Sequence, residues 1–552
     1  MEETKGLEAR TSVSDDKINT KRSSPPPAYA DVVSHVIVPD LTSAISNLKL
    51  EPPEEGIPID QCVAHLKLLH AIRQLRVDVG YRDGLFDLSD SAAELQTINK
   101  DLGAKDLAQL REKRWAVYVA RAVDRFERWW RTAVPRTKHR RAYGRLRQGD
   151  LSRDTTGTRL DFTEASLPPL DVLMVWHSYM LNPRSFFEDC LRFGMLDFWV
   201  TGLPWTAIDK CIDCVSLDYN PPSAAVQEFE SVTRLQWDNL RDPQTKVLKC
   251  PKCHIDTSCP WTTTCASSEA RVGDLGILFV GDGAGFADRN FSAICEHCKV
   301  TLNHEKLRVA KFKEDVELLR DEDIVMPGTC LSFHGTPHWM RSSNEVKRCP
   351  ELFPNRLLRH PTVVNKVDMC KTSMEDIRDV VEKSISDKGL LREVNNSRRL
   401  SRTEKMAVRR MMSHYWDNHS PFALDLIGAV IRQGTFIEKM HGLDWLHSPA
   451  IAATMRRLVH KYHRFFDIMR KYPRRMAVPT LDVDLAWHTH QLDPSNYYTY
   501  SVAKTKKFIN HNDKIDETAL SDGFEWTSHT YQQMFSEVYS ECTCKYYRIN
   551  RS

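Results

Sequence analysis

From Ile59 onward, apolar positions recur with a helical period. In "CVAHLKLLHAIRQLRVDV", Val63, Leu66, Leu69, Ile72 and Leu75 return every three residues, which predicts one apolar helix face. "REKRWAVYVARAVDRFERWW", Arg111 to Trp130, predicts a second helix with Trp115, Val119, Ala122 and Phe126 on one side. The stretch "LPPLDVLMVWHSYMLNPRSFFEDC", Leu167 to Cys190, follows. The middle of the chain, residues 241–345, changes character: cysteines and glycines appear, and "LGILFVGDGAGF" predicts a strand running into a glycine turn. A mixed-charge helix is expected at "NHEKLRVAKFKEDVELLRDE". Residues 346–400 are expected to be a linker, with the polar, weakly periodic stretch 360–400 forming a linker or a peripheral helix, and 401–552 turn helical and aromatic-rich again. Residues 1–57 are polar and proline-bearing, with too little apolar patterning for a core, and are expected to form a disordered arm.

An internal repeat organises this pattern. "LPPLDVLMVWHSYMLNPRSFF" aligns without a gap on "VPTLDVDLAWHTHQLDPSNYY", with eight of 21 positions identical. The helix before each copy also matches loosely, "AVDRFERWW" against "LVHKYHRFF". The expected fold is therefore mainly α: two related helical modules, 58–240 and 401–552, flanking a small α+β zinc-ribbon-like insert.

Shared positions point to architecture. Asp171 and Asp482 precede a helical run and are expected to cap it, worth about 1 kcal/mol. Trp176 and Trp487 are expected core anchors whose indole N–H needs an acceptor. His177 and His488 are expected to be buried imidazoles bonded to a neighbour. Asp484, His488 and Gln491 share a face in copy two only, where copy one has Leu173, His177 and Met180. A second metal site, if copy two has one, would draw on Asp484, His488, Gln491 and His490. Residues two apart on a helix point about 200° apart, so His488 and His490 do not grip one ion together.

Cysteine spacing carries the most specific chemistry. Cys250-x2-Cys253 and Cys295-x2-Cys298 match a tetrahedral zinc site, because each knuckle offers two thiolates from one tight turn. Such a closed set would serve folding, with Cys259, Cys265, His254 and His297 as spare candidates. Gly281, Gly283 and Gly285 lack the last glycine of G-x-G-x-x-G, since Phe286 stands there, which disfavours a dinucleotide site.

Composition narrows the classes. A net charge of +3 over 552 residues argues against a dedicated nucleic-acid or membrane-surface binder, despite the basic stretch Arg131–Gln148. Fifteen cysteines without an N-terminal apolar signal point to reduced thiols, hence a cytoplasmic or nuclear location. Pro26, Pro27 and Tyr29 in "SPPPAYAD" fit the PPxY pattern read by WW domains, some of which belong to ubiquitin ligases. Ser401 in "RRLS" is a candidate phosphosite at the start of the second module.

The segments "REKRWAVYVARAVDRFERWW", "LDVLMVWHSYMLNP", "LDLIGAVIRQGTFIEKMHGLDWLHSP" and "PTLDVDLAWHTHQLDP", with the cysteine knuckles between them, resemble the glycine-rich domain-containing protein-like family. The resemblance runs from about residue 60 to 548 and is carried by the paired W-H-x3-L-x-P motifs. Plant members add a glycine-rich region linked to RNA binding; with 22 glycines, this chain shows no such tract. Some relatives carry a 2-oxoglutarate-dependent dioxygenase label, which implies His-x-Asp plus a distant histidine on non-haem iron. Here that would require His254 and Asp256 with His334 or His338. Three readings follow: a scaffold or adaptor with structural zinc, an iron- or other metal-dependent enzyme with its site in the second module, and a nucleic-acid binder.

Overall fold

In a computed structural model, the protein is described at residues 57–91, 100–135, 158–264, 283–337, 352–396, 399–511 and 517–540. The fold is mainly helical with two small antiparallel sheets, as the apolar periodicity predicts. Copy one comprises α1 (Ile59–Gly80), α2 (Lys100–Thr132), α3 (Leu170–Met180) and α4 (Pro183–Phe193), then short α5 (Leu196–Thr201), α6 (Trp205–Lys210) and α7 (Ser223–Thr233). The insert holds β1 (Thr245–Lys249), β2 (Asp256–Pro260), β3 (Ala293–Ile294) and β4 (Thr301–Leu302). After it come α8 (His304–Asp321), α9 (Phe353–Arg359), α10 (Pro361–Met369), α11 (Met374–Ser386), α12 (Lys388–Asn395) and α13 (Arg402–Ser413). Copy two follows as α14 (Leu426–Leu443), α15 (Ile451–Lys471), α16 (Leu481–Gln491), α17 (Pro494–Thr505) and α18 (Glu517–Phe535).

Helix α1 is apolar around much of its girth, burying Cys62, Val63, Leu66, Leu68, Leu69 and Ile72. A helix apolar on several sides must be packed on several sides. It lies against α2, α3 and α6 of copy one and against α14, α15 and α16 of copy two. One apolar cluster therefore runs through both copies, from Trp176 and Phe198 to Tyr462 and Trp487.

The copies repeat an ion pair as well as a helix pattern. Arg125 on α2 donates from Nε to Asp171 Oδ2 (2.7 Å), and the aligned Lys461 on α15 donates to Asp482 (2.9 and 3.1 Å). This differs from the expected capping role. Helices α3 and α16 begin one residue before these aspartates, after Pro169 and Thr480, and neither N-cap residue makes a side-chain cap. Inside the first turn, each carboxylate reaches across to the cation of the preceding helix in a charge-assisted bond. Aromatic packing repeats too: Trp129 meets Trp176 at 5.3 Å between ring centres, and Phe465 meets Trp487 at 5.6 Å.

Residues 352–396 are more than a linker or a single peripheral helix. They hold α9 to α12, which bury Phe353, Leu357, Leu358, Val363, Met374, Ile377 and Val381. Each helix is too short to show a clear period, and Pro361, Ser373 and Asp387 punctuate them at their starts. A buried charge network holds α8 to copy one. Arg192 donates to Asp189 (2.9 Å) and Asp315 (2.7 Å), Lys311 to Asp315 (3.2 Å), and Tyr415 Oη to Asp315 (2.7 Å). Two carboxylates and two cations balance, which is what allows charges to persist in a core.

The insert has its own small core, with Trp261, Phe286, Phe291 and Leu302 packed against Val117 and Ala120 of α2. Gly285 is required there: a Cβ would lie 2.4 Å from Thr262 Cα. The expected strand in "LGILFVGDGAGF" falls mostly on 275–282, outside the described residues.

Candidate metal centres

Each CxxC pair is the turn of a hairpin. Cys250 and Cys253 join β1 to β2, and Cys295 and Cys298 join β3 to β4. The two turns are built alike. His254 N donates to Cys250 O (2.8 Å) and Cys250 N to Ile255 O (3.0 Å); Lys299 N donates to Cys295 O (2.9 Å) and Cys295 N to Val300 O (3.0 Å). The residue after each pair, His254 or Lys299, takes a left-handed φ of 60° or 56° to close the turn. The knuckles then face each other, with Sγ atoms 3.7 Å apart for Cys250–Cys298 and 3.6 Å for Cys253–Cys295. All four sulfurs lie within 4.8 Å of one another. Backbone N–H groups, foremost that of Cys298, pull the Cys295 thiol down to about 5. Cys253, although the Ile255 N–H lowers it, is pushed up to about 12 by burial and the neighbouring sulfurs. Thiols crowded this way cannot all ionise unless a cation joins them, so the donor set fits a metal ion.

The 41 residues between the pairs do not separate the knuckles, because β2 and β3 return the chain to one edge. The spare candidates stay out: Cys259 is buried against Lys246 O, and His254 is exposed. Cys265 lies outside the described residues.

A second cluster forms in copy two. Asp484 and His488 lie one turn apart on α16, with Oδ1 and Nε2 3.4 Å apart. His511, from the segment after α17, brings its Nε2 to 3.0 Å from His488 Nε2 and 3.6 Å from Asp484 Oδ1. Burial alone would raise the Asp484 carboxyl, but the two histidines, His488 foremost, hold it below its ordinary value. His490 points away because it stands two residues from His488 on the helix, whereas Gln491 shares the face but turns its amide to other partners. His490 Nδ1 meets Tyr462 Oη at 2.8 Å. Gln491 bridges the copies: the amide orientation that satisfies its neighbours has the nitrogen donating to Leu181 O (3.2 Å) and the oxygen accepting from Trp487 Nε1 (2.9 Å).

The shared tryptophans and histidines are buried. Trp487 Nε1 also donates to Tyr497 Oη (2.8 Å). Trp176 Nε1 has no acceptor among the described residues, because Phe186 stands where copy two has Tyr497. His177 Nε2 lies 2.9 Å from His65 Nε2, and His65 Nδ1 lies 2.9 Å from Thr489 Oγ1. Ser401 caps α13 in a reciprocal box with Glu404. Pro26, Pro27 and Tyr29 lie outside the described residues.

Among the described residues, the ligand clusters are the four cysteines and the Asp484–His488–His511 set; neither includes His254, Asp256 or His334. His338 lies outside the described residues. The His-x-Asp arrangement is thus not assembled: His254 is held in the left-handed turn of its knuckle, and Asp256 starts β2 at the surface.

Comparison with known proteins finds a family likeness over the second copy and the helices before it. Residues 347–499 match the family model described as glycine-rich domain-containing protein-like. The chain is similar to that family over these residues. It is similar to glycine-rich domain-containing protein 1 of Arabidopsis thaliana, 27% identical over 202 residues, which cover 34% of this chain and 22% of that relative. Glycine-rich domain-containing protein 2 of the same plant is 27% identical over 123 residues, covering 21% of this chain and 15% of the relative. The chain thus spans under a quarter of the length of the curated relatives it matches. No solved structure matches it. The family match takes in Asp482, Asp484, Trp487 and His488 but stops before His511. His511 is the ligand candidate that sequence reasoning missed. It follows α17 in "KKFINH", with no period or motif to single it out.

Proposed function

We propose that this protein is a zinc-stabilised helical scaffold whose N-terminal segment recruits a WW-domain partner through Pro26, Pro27 and Tyr29. Its ubiquitin-ligase form is the partner class to test first. The observation that carries the scaffold reading is the closed four-sulfur set, formed by two matching knuckles beside the insert's core. Four thiolates complete the coordination of Zn2+, so an ion there contributes folding energy to the insert. Helix α1, packed by both copies, makes the remainder one body suited to presenting attached segments. No helix among the described residues is long and apolar enough to cross a membrane.

Two measurements test this reading. Purified protein should carry zinc that is lost when Cys250 and Cys298 are replaced by serine. Immobilised WW domains should retain the full chain and release it on Tyr29→Ala. Retention of the Tyr29→Ala chain at unchanged affinity would remove the recruitment half of the proposal.

A further inference from the structure

We propose that Asp484, His488 and His511 form a second metal site, for a divalent first-row transition ion. The inference does not depend on the scaffold reading. Its ground is the donor geometry. Oδ1 of Asp484 and Nε2 of His488 and His511 form a triangle with sides of 3.4, 3.0 and 3.6 Å. Zinc bonds to imidazole nitrogen and carboxylate oxygen are about 2.0–2.1 Å, which at tetrahedral angles sets donors roughly 3.3 Å apart. An ion about 2 Å from all three atoms therefore fits this triangle without moving a helix.

The donor chemistry also fits. Two imidazoles and one carboxylate are the ligand set of zinc sites with an open position and of non-haem iron(II) sites. Three protein donors leave room for water or an anionic oxygen ligand. Asp484 and His511 are partly exposed as residues and His488 is buried, while the Asp484 Oδ1 that faces both rings is itself buried. Behind it, the Phe436 ring centre lies 4.4 Å from that of His488.

The second ground is the comparison between copies. His177 occupies the place of His488, but Leu173 occupies that of Asp484. In copy one the histidine turns its Nε2 to His65. The helix architecture thus does without the carboxylate, and Asp484 needs a reason of its own.

The third ground is the support around His511, because sites that bind metal hold their ligands through outer neighbours. Tyr497 Oη donates to Ile509 O (3.0 Å), and Ile509 N donates to Ser501 Oγ (3.2 Å). Phe508 O accepts from Arg184 Nε (2.8 Å), and Phe508 N donates to His334 O (2.9 Å). The residues leading to His511 are thereby fixed on both sides before any ion arrives.

The test is equilibrium dialysis of the full chain against Zn2+ and, anaerobically, against Fe2+, with metal counted per chain. Two equivalents of zinc, or one of zinc and one of iron, are expected for the natural sequence. His511→Ala and Asp484→Ala should each lower the total by one, and His490→Ala should leave it unchanged. Cys250→Ser with Cys298→Ser should remove the other equivalent alone, which separates this site from the cysteine site. Replacement with Co2+ gives a readout on the unaltered chain: nitrogen–oxygen ligand bands should appear beside the sulfur charge-transfer bands. A total of one equivalent with sulfur bands only would overturn the proposal, leaving a hydrogen-bonded Asp–His–His triad.

Discussion

His65 and His177 meet Nε2 to Nε2 at 2.9 Å in the middle of the protein, and the proton arrangement follows from their neighbours. Thr489 Oγ1 donates to Leu485 O (2.7 Å), so it accepts from His65 Nδ1 (2.9 Å). His65 Nε2 is then the unprotonated nitrogen and accepts from His177. Helices α3 and α16, with α1 between them, are joined in one polar chain. His65→Leu strands a buried donor on His177, and an unmet buried polar group costs about 1–3 kcal/mol. Urea unfolding should show that loss, and adding His177→Leu should cost less than its effect alone. Strict additivity of the two changes would show that the rings are not coupled.

The paired aspartates should differ in weight. Asp171 faces Arg125 and also accepts from Asn239 Nδ2 (2.9 Å), with both ion-pair side chains at 3% exposure or less. Asp482 faces Lys461, with 9% and 11% exposure. Removing one partner of a buried pair costs roughly 3–5 kcal/mol. Asp171→Ala is expected in that range and Asp482→Ala below it, read from chemical denaturation. Equal losses would contradict the difference in enclosure.

Acid should destabilise the fold from well above the carboxylate range. Burial, with His488 next, lowers His177 to about 3; burial, with His304 and Lys246 next, lowers His419 to about 3. The unfolded chain takes up these protons near pH 6.5 while the folded chain does not. Stability therefore falls as pH drops from 6.5 and the loss levels off only near 3, by on the order of 1 kcal/mol per pH unit for each ring. His419→Phe should flatten the pH dependence of unfolding between pH 6.5 and 4. A profile unchanged by that variant would sink the assignment.

Stripping metal should loosen the insert before the helices. With zinc removed by a chelator, amide exchange should speed in 245–260 and 293–302, while α1 stays protected by both copies. Uniform loss of protection across α1 and the strands would mean that the insert and the helical body unfold as one unit.

Some of this was legible without coordinates. Periodicity marks α1 and α2, the repeat pairs α3 with α16, and two CxxC knuckles announce a four-sulfur site because their spacing is imposed by one local turn. The short helices at 353–395 were not legible, since a helix of seven to 13 residues interrupted by caps leaves too little period to read. Asp171 and Asp482 showed where a carboxylate stands but not whether it turns to its own helix end or to a neighbour.

What the chain determined locally is the set of elements and the donors that share one turn: cysteines two residues apart, and Asp484 with His488 four apart. What only the tertiary structure decided is which distant groups complete them. His511 joins Asp484 because Tyr497 and Ser501 hold residues 508–511 beside α16. His177 meets His65 rather than a carboxylate because α1 is wedged between the copies. Contacts within one helix turn are set by backbone geometry, which the local sequence encodes; contacts between helices depend on how the whole core closes.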